Sequence, residues 1–457
     1  MTSWRSHKDE LHPDEPRISR SDAMAEPVHV IGVGRTDFKR NVRKEGKTIR
    51  DLIVEAARAA IDDAGIDPGD IQSGVVGNFA AGLFTRQLHL GAMLMDVDPA
   101  LRGIPTVHTE AACASGGVAV LTGAQQVWGG LHDVVLVVGV EQQKTMAPAD
   151  GSDVLGAAGD YHEEKARHGE FMFPKLFARI AQLYADRYGL SERQLALVAV
   201  KNFSHARKNP MAQMRDRALT LDVAATESEG NLRIAPPLKV TDCSQITDGA
   251  AAVVLCSAKL AAKLSPSRRV RLLGYGHTTD YLPLDRKDVP DFSIARQSAA
   301  QAYAMSGLTP RDIDAADVHD CFSISEIVAS EIVGLAEPGG GGRLLESGAT
   351  MLPPVRAELG IAAPPTPARS IPINPGGGLI GDGHPVGATG VRQVVEAYQH
   401  LTERAGSRQV DGVRRYLTFN MGGSVTTSVT MIWGHDQPLT QPRGVDALAG
   451  RRNRHDE

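Results

Sequence analysis

At 457 residues, 42% of them apolar and with charges of both signs, the chain suggests roughly two or three domains with a substantial core. A formal net charge of −5 argues against nonspecific nucleic-acid binding and leaves only a local basic patch open for a phosphorylated ligand. No apolar run, Val134 to Val140 included, reaches the length of a membrane span, and MTSWRSHKDELHPDEPR lacks the apolar core of a signal peptide, so a cytoplasmic protein is expected.

Residues 1–27 are polar and aperiodic and are expected to form a disordered arm. From Val28, VHVIGVGRTDF has the β-branched content of a buried strand, and Thr48 to Gly65 carries apolar residues at helical spacing up to a terminal glycine. Asp67-Pro68 turns the chain into a strand near Gly74–Asn78. CASGGVAVLTGAQQV, from Cys113, reads as a helix, and DVVLVVGVE, from Asp133, as the strand that closes a first half. Helical runs at Lys175–Tyr188 and Glu192–Ala206 then fall in residues 142–239, read as an inserted subdomain over the site. Its basic stretch, KNFSHARKNP from Lys201, is open to two readings, a solvated helix face and a phosphate contact.

The same order then returns. VRLLGYGHTTD, from Val270, repeats the start of the fold, and one constant offset also pairs Gly65 with Gly307, Pro68 with Pro310, Asp70 with Asp312 and Ile71 with Ile313. Two homologous βαβ halves are therefore predicted, residues 28–269 and 270–434, followed by a loose tail at 435–457. Arg414 to Trp433 reads as two strands around Gly422-Gly423.

The richest stretch is NPGGGLIGDGHPVGATG, Asn374 to Gly390. Its three consecutive glycines permit close approach of main chain to whatever sits there, and His384 stands at the start of an apolar helical run. Cys113 holds the matching position in the first half, so the pseudo-twofold should bring Cys113 and His384 to one site. A thiol at a helix start has its thiolate stabilised, and its small neighbours admit a bulky substrate. His319 and Cys321, in VHDCF at a predicted strand end, should project together into that pocket. Four cysteines without a CxxC pair indicate neither a disulfide framework nor a metal site, and Cys243 and Cys256 read as structural. Ser244, Thr247 and Asp248 are open to two readings, a ligand cleft and a turn with its cap.

EAACASGG, ITDGAAAVVL, VHDCF and NPGGGLIGDGHPVGATG, in that order, resemble the thiolase superfamily from Val28 to Trp433, and HDCF resembles its sterol-carrier-protein-type members. The resemblance implies an α/β thiolase fold with duplicated halves in five α-β-α-β-α layers. It also implies reversible Claisen condensation of acyl-CoA thioesters without metal or redox cofactor. Cys113 would be the nucleophile, Cys321 the acid and base, and His319 with His384 the donors to an enolate oxygen. Backbone N–H groups of Cys113 and Gly422 would hold the tetrahedral oxyanion, and Ser244, Thr247 and Asn420 would contact substrate. Common relatives carry a C-x-G cysteine where this chain has Asn420-Met421-Gly422, so Cys321 would have to replace it. A ketosynthase-like condensing enzyme and an acyl-CoA-binding or aldolase-type subunit with a small OB-fold partner are the alternatives. A homodimer or homotetramer is implied by resemblance.

Overall fold

A computed structural model describes residues 27–364 and 369–435; apart from Pro27 and His435, the arm and tail expected at the two ends lie outside the described residues. Strand β1 (Val28–Arg35) is buried along nearly its whole length. Helix α1 (Ile49–Ala64) buries Ile49, Leu52, Ile53, Ala56, Ala57, Ala60 and Ile61, one stripe at helical spacing. Each such Ile or Leu contributes roughly 1.5–3 kcal/mol by burial. Asp51 accepts the Thr48 N–H at 2.8 Å to start this helix, and Gly65, at φ 67, ends it. Strands β2 (Ser73–Gly77) and β3 (Thr106–Thr109), helix α2 (Ser115–Trp128) and strand β4 (Val134–Glu141) follow.

The segment after β4 contains helices α3 (Met172–Tyr188) and α4 (Glu192–Ala206) and a short hairpin, β5 (Arg233–Ala235) with β6 (Leu238–Lys239). Both helices stand where the periodicity put them. Every residue of α4 from Leu195 to Ala206 is buried, so this helix is an interior element, not a surface cover. Strand β7 (Gly249–Ser257) returns the chain to the first half.

The second half repeats the first. Strand β8 (Val270–Thr279) and helix α5 (Ser293–Ser306) lead to Gly307, also at φ 67, and then to β9 (Ala315–Val318). The turns Pro68–Asp70 and Pro310–Asp312 are both single 3-10 turns. Helix α6 (Ser323–Ile332), helix α7 (Thr389–Leu401) and the antiparallel pair β10 (Arg415–Gly422) and β11 (Thr427–Gly434) complete it.

All but β5 and β6 join one mixed sheet, in the order β3-β2-β4-β7-β1-β8-β11-β10-β9. Among the described residues the two half-sheets pair only where His29 faces Arg271 and Val30 faces Val270. This narrow seam lets the half-sheets stack. Helices α2 and α7 pack on each other between them, with Val120, Val391, Val395 and Tyr398 in one cluster with Val137 and Met431. Helix α1 covers the outer face of the first half-sheet and α5 that of the second. The five-layer order is thus present, the two sheet layers being continuous through β1 and β8. No helix among the described residues is long and apolar enough to cross a membrane.

Candidate active site

Cys113 lies on the single 3-10 turn Ala112–Ala114 that leads into α2, a turn entered through Ala112 at φ 51. Gly422, at the end of β10, presses its Cα against this turn, where a Cβ would collide with the Ala111 carbonyl. Burial pushes the Cys113 thiol up to about 12; a hydrogen bond from the Gly423 N–H opposes the rise and the Glu141 charge adds to it. The helix start expected to favour a thiolate is therefore outweighed by desolvation. The resting sulfur is a thiol that needs a base.

Two imidazoles stand beside it. The sulfur of Cys113 and one nitrogen each of His319 and His384 lie within 4.8 Å of one another. Their atom types would also suit a soft metal. The two rings meet edge to face, with centroids 5.1 Å apart.

His384 is held from two sides. Its N–H donates to Thr247 Oγ1 at 2.9 Å, and its Nδ1 is 2.7 Å from Thr389 Oγ1. The Thr389 hydroxyl also lies 3.2 Å from the Pro385 carbonyl, which can only accept; with its proton assigned there, it accepts from His384. The ring proton is accordingly on Nδ1, which leaves the Nε2 lone pair for the pocket. Burial, helped by the Arg392 charge, lowers the His384 pKa to about 3, so the ring is neutral.

His319 has the opposite arrangement. Asn420 Oδ1 accepts the Gly117 N–H at 3.1 Å, and its Nδ2 donates to the Cys113 carbonyl at 2.9 Å and to His319 Nδ1 at 3.2 Å. The Gly117 contact orients the amide, so His319 Nδ1 must accept and Nε2 carries the proton. Burial, the neighbouring His384 and Arg392 lower the His319 pKa well below the usual histidine value. One neutral imidazole thus offers a lone pair and the other an N–H. Asn420 is itself fully buried, and its amide contacts lie behind the pocket rather than with a substrate.

Cys321 lies between β9 and α6, outside the 4.8 Å group but close enough for its charge to couple with that of Cys113. Its sulfur is 3.7 Å from Ser325 Oγ, and burial pushes its thiol well above the usual range. The Ser244 N–H donates to the Cys321 carbonyl at 2.9 Å, while the partly exposed Ser244 side chain is left for other contacts. Thr247 is buried and spends its hydroxyl on His384 and Gln213, and Asp248 accepts main-chain N–H groups of Val42, Gln143 and Lys144. Both match the turn-and-cap reading. Cys256 is buried in β7, and Cys243 is bridged to Phe322.

The three glycines before His384 make room for protein rather than for ligand. A Cβ on Gly376 would sit 2.6 Å from Glu396 Oε1, one on Gly377 2.8 Å from Ala206 Cβ, and one on Gly378 inside the Asp320 carboxylate. Asp320 accepts the Leu379 N–H at 2.6 Å and the Asn202 amide at 2.7 Å, which ties the loop to α4. The basic stretch of α4 is neither a solvated face nor a phosphate contact along Lys201 and His205, both wholly buried. Lys201 donates to the Ile373 carbonyl at 2.8 Å and pairs with Glu326 at 2.8 Å, and His205 bonds the Asn374 carbonyl at 2.9 Å. Only past the helix does the charge reach the surface, where Arg207 pairs with Glu358.

Sequence reasoning passed over Gly423, Glu141 and Arg392. Glu141 accepts the Phe79, Ala80 and Gly387 N–H groups and so joins the first half to the His384 loop. Its position at the end of an apolar strand was a usable signal, as was an arginine inside the apolar run of α7.

The class that this fold and site define is an α/β enzyme of two equivalent halves, with a thiol from the first facing two imidazoles from the second. Residues 28–231 match the family description "Thiolase, N-terminal domain", and residues 276–435 match "Thiolase C-terminal domain-like". The acetyl-CoA acetyltransferase of Methanothermobacter thermautotrophicus is 38% identical over 89% of this chain and 99% of its own length. Sterol carrier protein 2 of Bos taurus is 30% identical over 91% of this chain and 73% of its own. Among solved structures, the "Ltp2-ChsH2(DUF35) aldolase" aligns with a TM-score of 0.73 at 24% identity, covering 90% of this chain and 99% of that one. The chain belongs to the thiolase family.

Proposed function

We propose that the chain exchanges acyl groups between coenzyme A thioesters by reversible Claisen chemistry through an acyl group on Cys113. The observation that carries this is the Cys113 sulfur within 4.8 Å of one nitrogen of each imidazole, whose hydrogen-bond partners assign His384 a free lone pair and His319 a free N–H. In the cleaving direction the Cys113 sulfur attacks the 3-oxo carbonyl while His384 Nε2 takes its proton. Because the resting thiol and imidazoles are neutral, this transfer accompanies attack rather than preceding it.

The tetrahedral oxyanion accepts main-chain N–H groups at the Cys113 turn, for which Cys113, Gly422 and Gly423 are the candidates. Its collapse breaks the C–C bond and releases an enolate of acetyl-CoA or propanoyl-CoA, whose oxygen accepts from His319 Nε2–H and from protonated His384. Burial keeps Cys321 as a thiol, suited to protonating the enolate carbon. The Cys321 thiolate then takes the proton of an incoming coenzyme A thiol. The thiolate so formed attacks acyl-Cys113, and the departing Cys113 sulfur takes back the proton held on His384.

Coenzyme A and its thioesters are the ligands in this reading, and there is no resident cofactor. The reading also places a self-associating enzyme, a homodimer or homotetramer, in the cytoplasm. A small OB-fold partner belongs to the aldolase-type alternative, and its support is the DUF35 protein named with the solved aldolase.

Thiolysis of 3-oxoacyl-CoAs of increasing length, read beside intact mass, tests the proposal. Cys113→Ala should show no acyl adduct, while Cys321→Ala should trap acyl on Cys113 without turning over. Full thiolysis by Cys321→Ala would remove that residue from the acid and base role. Incorporation of malonyl-CoA with loss of CO₂, in place of acetyl-CoA, would favour a ketosynthase.

A further inference from the structure

Beneath the two imidazoles runs a buried ladder of alternating charge. Arg35 of β1 donates to Asp382 through both terminal nitrogens, at 2.9 and 2.8 Å. Arg392 of α7 has Nε 3.6 Å from Asp382 Oδ2 and donates from Nη1 to Asp317 Oδ2 at 2.6 Å. Arg392, Asp317 and Asp382 are all 0% exposed at their side chains, and Arg35 is 5% exposed. Asp317 stands two residues before His319, and Asp382 two residues before His384. One guanidinium is therefore hydrogen-bonded to the strand end that carries the first imidazole and ion-paired with the loop that carries the second.

We propose that Arg392 is a positioning residue whose clamp on Asp317 and Asp382 sets the spacing of His319 and His384 around the Cys113 sulfur. Buried ion pairs are a poor source of net stability, because desolvation offsets most of the attraction. The directional bonds within the ladder, Arg392 to Asp317 and Arg35 to Asp382, do fix relative position, and Arg392 couples them through its ion pair with Asp382. The two histidine segments also meet where Asp320 accepts the Leu379 N–H at 2.6 Å and Asn374 Oδ1 the Val318 N–H at 2.9 Å, but those contacts lie at the start of the loop, and Asp382 is the carboxylate two residues from His384. Arg392 also adds to the burial effect that keeps both rings neutral. Arg35 extends the clamp across to the first half, the half that supplies Cys113.

The proposal rests on the thiolase reading for its kinetic arm, so a second arm needs no substrate. The full chain is compared with Arg392→Gln, Arg392→Lys and Asp382→Asn by acetoacetyl-CoA thiolysis, by the rate of iodoacetamide alkylation of Cys113 followed by mass, and by thermal unfolding. Displacement of catalytic groups by an ångström costs about 100-fold, so Arg392→Gln is expected to lose about 10- to 100-fold in kcat with KM changed less than about threefold. Cys113 alkylation should slow in parallel, and Arg392→Lys should recover part of both rates. Asp382→Asn, which keeps the shape of the loop, should show the same split if Arg392→Gln does not fold. A folded Arg392→Gln with wild-type kcat and alkylation rate would overturn the proposal. Losses that follow only the melting temperature, with no recovery in Arg392→Lys, would also overturn it by reducing Arg392 to a structural role. A wild-type chain without thiolysis would count against the thiolase reading, while the alkylation series would still decide the clamp.

Discussion

Asn420 Nδ2 stands 3.2 Å from Nδ1 of His319 while Oδ1 of the same amide takes the Gly117 N–H at 3.1 Å, so one side chain decides which nitrogen of His319 bears the proton. An oxygen in place of Nδ2 would accept where the amide donates and would draw the proton to Nδ1. The N–H aimed at a substrate oxygen would then be lost. Asn420→Asp is expected to reduce kcat about 100-fold, the usual effect of removing one donor to an oxyanion, with a much smaller change in KM. Steady-state thiolysis with circular dichroism as a folding control checks this; an unchanged kcat would disconnect Asn420 from the tautomer.

Gly378 combines φ +60 with the Asp320 carboxylate where a Cβ would go. Gly378→Ala should therefore destabilise the protein by about 1–3 kcal/mol, from backbone strain and overpacking together. The melting temperature should drop and activity should fall with it, since the same loop carries His384. Wild-type stability would show that Asp320 can move aside.

The pH dependence of Cys113 follows from the direction of its shift. Burial raises the thiol from 9.0 to about 12, so the thiolate fraction should keep increasing past pH 9.0 rather than level off there. The histidine shift has the opposite sign: a pKa lowered from 6.5 to about 3 leaves His384 neutral on both sides of pH 6.5. The rate of Cys113 alkylation against pH should accordingly show no step near 6.5 and no plateau by 9.0. A plateau below pH 9.0 would mean that the sulfur is a preformed thiolate paired with an imidazolium.

Much of this protein is legible from its residues alone, for a local reason. Strand content, helical spacing and glycine stops act over a few residues, so Val28 and Val270, or Gly65 and Gly307, announce the same unit twice and locate the sheet and its two outer helices. Duplication then pairs Cys113 with His384, and VHDCF adds His319 and Cys321. What each of these groups does with a proton is not local. It depends on Thr389 donating to Pro385, on Asn420 meeting Gly117 from the other half, and on burial that only the packed core creates. The three glycines before His384 look from the sequence like a cradle for ligand, yet the tertiary structure fills their space with Glu396, Ala206 and Asp320. Arg392, one more helical residue in the sequence, becomes the tie between two histidines only when Asp317 and Asp382 are brought to either side of it. The sequence by itself thus determined the repeated architecture and the reactive residues, because those are written in short-range patterns. The tertiary structure decided protonation, positioning and the use of the glycines, because those arise from contacts between residues far apart in the chain and from the loss of water around them.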